Sequence, residues 1–112
     1  MDNKPHFIQD LGMLLEALPP DSILSRTIYQ DQTIKTVLFG FQSGQELSEH
    51  TASVPAVLHF LQGEAEVILG NEHHQAQAET WIHIPASLPH SIHASQETLM
   101  LLTLIRSGEG DS

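Results

Sequence analysis

Residues 44–63 read Gly44-Gln45-Glu46-Leu47-Ser48-Glu49-His50-Thr51-Ala52-Ser53-Val54-Pro55-Ala56-Val57-Leu58-His59-Phe60-Leu61-Gln62-Gly63. A polar stretch ending in a histidine gives way, after Pro55, to a short apolar run closed by glycine. The run is too short for a helix of normal length and is bounded by turn residues, so it reads as a strand. It continues as Glu64-Ala65-Glu66-Val67-Ile68-Leu69 to Gly70-Asn71, a second strand behind a tight turn at Gly63. Outward from this centre the pattern repeats. Strands are expected at 23–29 and 33–41, with Gln30 to Gln32 as a turn, and again at 57–62, 65–69, 74–78, 80–84, 90–94 and 98–106. Gly63, Gly70-Asn71, Pro85 and Pro89 punctuate them.

Many short strands behind tight turns are the mark of an antiparallel all-β sandwich or barrel. One segment differs. Phe7, Ile8, Leu11, Leu14, Leu15 and Leu18 recur at three-and-four spacing, so a short N-terminal α-helix is expected before Pro19 and Pro20 end it. The division that follows is a helical extension over 1–20, a barrel over 21–106 and a polar, disordered tail over 107–112. At 112 residues the chain is long enough for one domain with an ordinary core.

Composition narrows the chemistry. There is no cysteine, which removes disulfides, thiolate metal ligands and cysteine nucleophiles. Fourteen acidic residues against four basic ones give a net charge of −10, which repels phosphate backbones and anionic membranes. Neither nucleic acid nor membrane is an expected partner, and with no leader-like run at Met1 to Gln9 the expected location is cytoplasmic. Eight histidines are the compositional feature that points to chemistry.

The segment from Gly44 to Gly63 resembles the first motif of the cupin superfamily: glycine, five residues, His-x-His, three or four residues, glutamate, six residues, glycine. The second cupin motif is glycine, five residues, Pro-x-Gly, two residues, histidine, three residues, asparagine, and the register of 79–94 follows it. Gly44, His50, Gly63, Pro85 and His90 are kept. Ala52, Ala56, Glu79, Ser87 and Ala94 stand where the family has histidine, glutamate, glycine, glycine and asparagine. The resemblance covers roughly residues 36 to 106 and implies a cupin double-stranded β-helix, or jelly-roll, barrel. It also implies a divalent transition metal (Fe, Mn, Ni, Cu or Zn) held inside by three histidines and one glutamate.

Two of those four slots are alanine here, so the implied site reduces to His50 and His90 with His83 as the candidate third ligand. His59, His93 and Glu49 are disfavoured, because strand neighbours one or three positions from an inward residue point outward. His73 and His74 read as solvated turn residues, Arg26 as a surface ion-pair partner and Trp81 as a core, dimer or ligand contact. Alanine at both lost slots is expected to enlarge the cavity and make it less polar, favouring an apolar small molecule. The resemblance then implies a cupin-fold protein that binds a small molecule, with or without a divalent metal, or else a metal-dependent dioxygenase or isomerase. Whether it is an enzyme stays open at the level of sequence. The run Leu99 to Leu104, apolar on both faces, adds a homodimer to the expectations.

Overall fold

The computed structural model describes residues 4–15 and 18–106. Among the described residues nine strands form two antiparallel sheets: β1 (Ile23–Gln30), β2 (Ile34–Phe41), β3 (Glu46–His50), β4 (Ala56–Gln62), β5 (Glu64–Leu69), β6 (Glu72–Gln77), β7 (Trp81–Ile84), β8 (His90–Ala94) and β9 (Thr98–Ile105). One sheet has the order β1-β2-β9-β4-β7 and the other β3-β8-β5-β6. The two pack face to face as a jelly roll. Alternation places Phe41, Leu58, Phe60, Val67, Ile84, Ile92 and Met100 between them, all essentially inaccessible to solvent. No helix among the described residues is long and apolar enough to cross a membrane.

The α-helix expected over residues 7–18 does not form among the described residues of that stretch. The described part of that stretch holds a single 3-10 turn at Leu11–Leu14, which Asp10 caps by accepting the Gly12 N–H at 3.1 Å. Its other described residues form a strap over the outer face of the five-stranded sheet. Leu15 and Leu18 lie over Gly40, where a β-carbon would stand 3.2 Å from the Leu15 side chain. The Gln42 amide donates to the Leu18 carbonyl at 2.9 Å, and the Arg26 guanidinium reaches the Leu14 carbonyl at 3.4 Å. Packing on the sheet thus overrides a helical pattern already weakened by Gly12. The tail expected to be disordered lies outside the described residues.

The turn joining β1 to β2 is held by Asp31, whose carboxylate accepts from the Tyr29 hydroxyl at 2.7 Å, the Thr33 N–H at 2.8 Å and the Ile34 N–H at 3.0 Å. These donors, the Tyr29 hydroxyl foremost, hold its carboxyl far below the ordinary range. Because the folded value is depressed, this contribution is present above the usual carboxylate range and is lost as pH falls below that range through the depressed folded value.

The four glycine slots of the two motifs share one backbone state whatever residue fills them. Gly44 (φ 88°) and Gly63 (φ 96°) are left-handed, and so are Glu79 (φ 78°) and Ser87 (φ 70°). The substituted pair also joins the motifs: Glu79 N–H donates to the Phe60 carbonyl at 2.9 Å and Ser87 N–H to the Ala52 carbonyl at 2.7 Å. Side chains other than glycine sit in this region at a cost of about 1–2 kcal/mol, partly offset by glycine's greater freedom when unfolded. Ser87→Gly is therefore expected to stabilise the protein by about 0.5–1 kcal/mol. A raised urea midpoint with unchanged slope is the readout, and a lowered midpoint would show that the Ser87 side chain has a role of its own.

Candidate ligand site at the His50–His90 pair

His90 enters the core because it opens β8 on the parity of Ile92 and Ala94, all three being buried. His50 reaches the same face by breaking parity. Leu47 pairs with Ile92 and His50 with His90, so three steps along β3 match two along β8. This is a β-bulge, and its extra residue turns His50 inward although simple alternation from Leu47 would turn it out.

The two rings then meet across the strands, with centroids 4.3 Å apart and planes inclined by 58°. Each is fixed in the same way. Nδ1 of His50 lies 2.9 Å from the Ser48 carbonyl oxygen, and Nδ1 of His90 lies 2.8 Å from that of Leu88. A carbonyl only accepts, so each Nδ1 carries a proton, and in the neutral ring Nε2 keeps its lone pair. Such an orienting bond to the remote ring nitrogen is the usual support of a ligating imidazole. Both rings border one small cavity of about 50 Å³, whose other walls are Phe39, Leu47, Leu58, Ile92, Met100 and Leu102. His90 is buried, whereas His50 is exposed and forms the solvent side.

His83, the expected third ligand, is not placed with this pair. It pairs with Val57 between Ile82 and Ile84 on β7, and Ile84 is the buried neighbour, so His83 faces outward and is exposed. It borders a separate open hollow with Leu69, Glu72, Pro85 and Leu88. His59 and His93 lie on outer faces, where His59 approaches Glu79 at 3.9 Å. His73 and His74 are exposed on β6 and contact Glu66 at 2.8 Å and Glu72 at 3.2 Å. Among the described residues no three His, Asp or Glu side chains converge on a point that could hold a metal. The four-ligand divalent centre therefore does not fit the donors present.

The expected enlargement of the cavity is also corrected. Ala56 packs in register between Ile84 and Leu104 as part of the core, and bulky neighbours fill the space around the pair. The cavity is apolar, but it is small against the roughly 300–1,000 Å³ of a drug-sized site. Sequence reasoning also passed over Met100 as a site residue. The apolar run around it gives no sign of which face it takes.

No protein-family model and no curated protein matches the chain. Solved structures do. A conserved protein of unknown function from Streptococcus pyogenes is 29% identical, with a TM-score of 0.81 over 95% of this chain and 93% of its own. A cupin superfamily protein from Desulfitobacterium hafniense is 24% identical, with a TM-score of 0.81 over 96% and 94%. An RmlC-like cupin from Desulfovibrio desulfuricans is 22% identical, with a TM-score of 0.77 over 89% and 97%. With two antiparallel sheets in jelly-roll order and both motif registers kept in spacing, the described residues form one small domain of the cupin fold.

Proposed function

We propose that the protein is a binding module that engages a small ligand or ion through Nε2 of His50 and His90. The observation that carries this reading is the twin arrangement of the rings. Two imidazoles, each with Nδ1–H tied to a carbonyl, border a single apolar cavity. The alternative, a metal-dependent dioxygenase or isomerase, needs further donors to hold an ion with positions open for substrate. The donor set favours binding over turnover.

The test is a thermal-shift panel of nickel, zinc and copper ions together with small organic ligands, run on wild type, His50→Ala and His90→Ala. A ligand at about one hundred times its Kd adds about 2.7 kcal/mol to the folded state, enough to read as a clear rise in Tm. That rise is expected in wild type and absent in both variants. Shifts that survive both substitutions would place binding elsewhere and remove the reading.

The module is also proposed to pair with a second copy. Strands β9, β4 and β7 are adjacent in the five-stranded sheet and carry no Asp, Glu, Lys or Arg, in a chain whose net charge is −10. Their outer face bears Trp81, 62% exposed, and Ile105, 41% exposed, with partly exposed Leu99 and Leu101. Two strongly acidic copies repel across most of their surface, and this uncharged face is where they approach at least cost. Light scattering at micromolar concentration is expected to give the mass of a dimer, and Trp81→Glu the mass of a monomer. A monomeric wild type would refute it.

A further inference from the structure

We propose that the hollow between the N-terminal strap and the β1–β2 hairpin binds a small monocarboxylic acid with an apolar body. It is separate from the histidine pair. Ile34 and Thr36 of β2 border it on the outer face of the five-stranded sheet, whereas Phe39 of the same strand borders the histidine cavity on the inner face. Its volume is about 430 Å³, within the roughly 300–1,000 Å³ of small-molecule sites.

Another β-bulge builds this hollow. Thr27 pairs with Val37 and Tyr29 with Thr36, so two steps along β1 match one along β2. The extra residue brings Ile28 and its neighbour Tyr29 to one face, and both border the hollow. The Tyr29 ring is held by its hydroxyl, which donates to Asp31 at 2.7 Å, and its centroid lies 5.2 Å from that of His6 on the strap. Ile8 and Leu11 from the strap, with Ile28 and Ile34 from the sheet, supply apolar walls from both layers.

The polar groups set the charge of the occupant. The chain has fourteen acidic residues, yet no described one borders this hollow, while Lys4, one of only four basic residues, does. Its positive charge draws an acid inward. Lys4 also interacts within the protein, and its ammonium has three donors to share. Thr36 is buried and shares one hydrogen bond with the Thr103 hydroxyl at 3.3 Å. Two hydroxyls bring two protons to that single bond, so one proton is left without an acceptor among the described residues. With a carboxylate in the hollow, Thr36 donates to it and accepts from Thr103, and both protons are used.

The probe is octanoate, titrated calorimetrically into the full chain, with octanol as its uncharged analogue. Wild type is expected to bind one octanoate and to hold octanol at least about tenfold more weakly. Lys4→Met keeps the aliphatic stem and removes the charge, and Thr36→Val keeps the branched shape and removes the hydroxyl. Each is expected to weaken octanoate about tenfold and to leave octanol unchanged. Nuclear Overhauser contacts from the octanoate chain to the methyl groups of Ile8 and Ile34 in wild type locate the site even if Thr36→Val folds poorly. Contacts to Leu47 or Ile92 instead would place the acid in the histidine cavity and overturn the proposal. Octanol bound as tightly as octanoate, or octanoate binding unmoved by both variants, would overturn the preference for an acid. Absence of octanoate binding would overturn the inference outright.

Discussion

Gly63→Ala is expected to cost the protein about 3 kcal/mol or more, since of the described glycines only Gly63 would bring an added β-carbon against backbone atoms. Two independent effects combine. The residue has φ 96°, where a β-carbon costs about 1–2 kcal/mol. That carbon would also meet the Glu97 carbonyl oxygen and the Thr98 hydroxyl, and would stand 2.6 Å from the Thr98 α-carbon. Two of these obstacles are backbone, held by the Thr98 hydroxyl donating to the Glu64 carbonyl at 3.1 Å, so they cannot swing aside. Gly44→Ala is the internal control, since φ is 88° there and no atom lies within 4 Å of the added carbon. It should lose only the conformational part, net of glycine's freedom when unfolded, about 0.5–1 kcal/mol. Urea unfolding of the two variants checks the difference. Equal losses would mean that the chain at Glu97 and Thr98 yields.

Removing either histidine is expected to weaken ligand binding by about 100-fold or more, beyond the 10–100-fold typical of losing a supporting partner, but the two losses should differ in stability. His90 is 6% exposed, and its Nδ1–H satisfies the Leu88 carbonyl. His90→Ala opens a void and strands that carbonyl, a combined cost of about 2–3 kcal/mol. His50 faces solvent, which can both fill its place and hydrate the Ser48 carbonyl, so His50→Ala should cost below about 1 kcal/mol. Paired measurements of Tm and of ligand-induced shift separate the effects. A His50→Ala variant as unstable as His90→Ala would show that the exposed ring packs more tightly than its accessibility implies.

The barrel was legible because its strands obey period two and its turns carry the expected glycine and proline, and β8 matches its expected bounds of 90–94. The features that escaped are those where a local rule yields to a tertiary one. β3, whose sequence Glu46-Leu47-Ser48-Glu49-His50 is mostly polar, shows no alternation because the bulge interrupts it. The N-terminal segment has helical spacing, yet its leucines find their apolar surface on the sheet without forming a helix. His50 and His90 were visible through motif register alone. His83 was misplaced because Trp81-Ile82-His83-Ile84 is apolar around it and gives no sign of which face looks inward. Met100 was hidden by a run of leucines that conceals parity in the same way.

The same economy explains how little chain the imidazole orientation requires. In both cases the clamping carbonyl lies two residues before the histidine, Ser48 for His50 and Leu88 for His90. Each tripeptide, 48–50 and 88–90, therefore carries its own tautomer instruction, and the barrel has only to bring the two into cross-strand register. A pair of this kind is portable: the two short segments, set opposite each other on any antiparallel ladder with one bulge, would present the same two lone pairs without the rest of the cupin barrel.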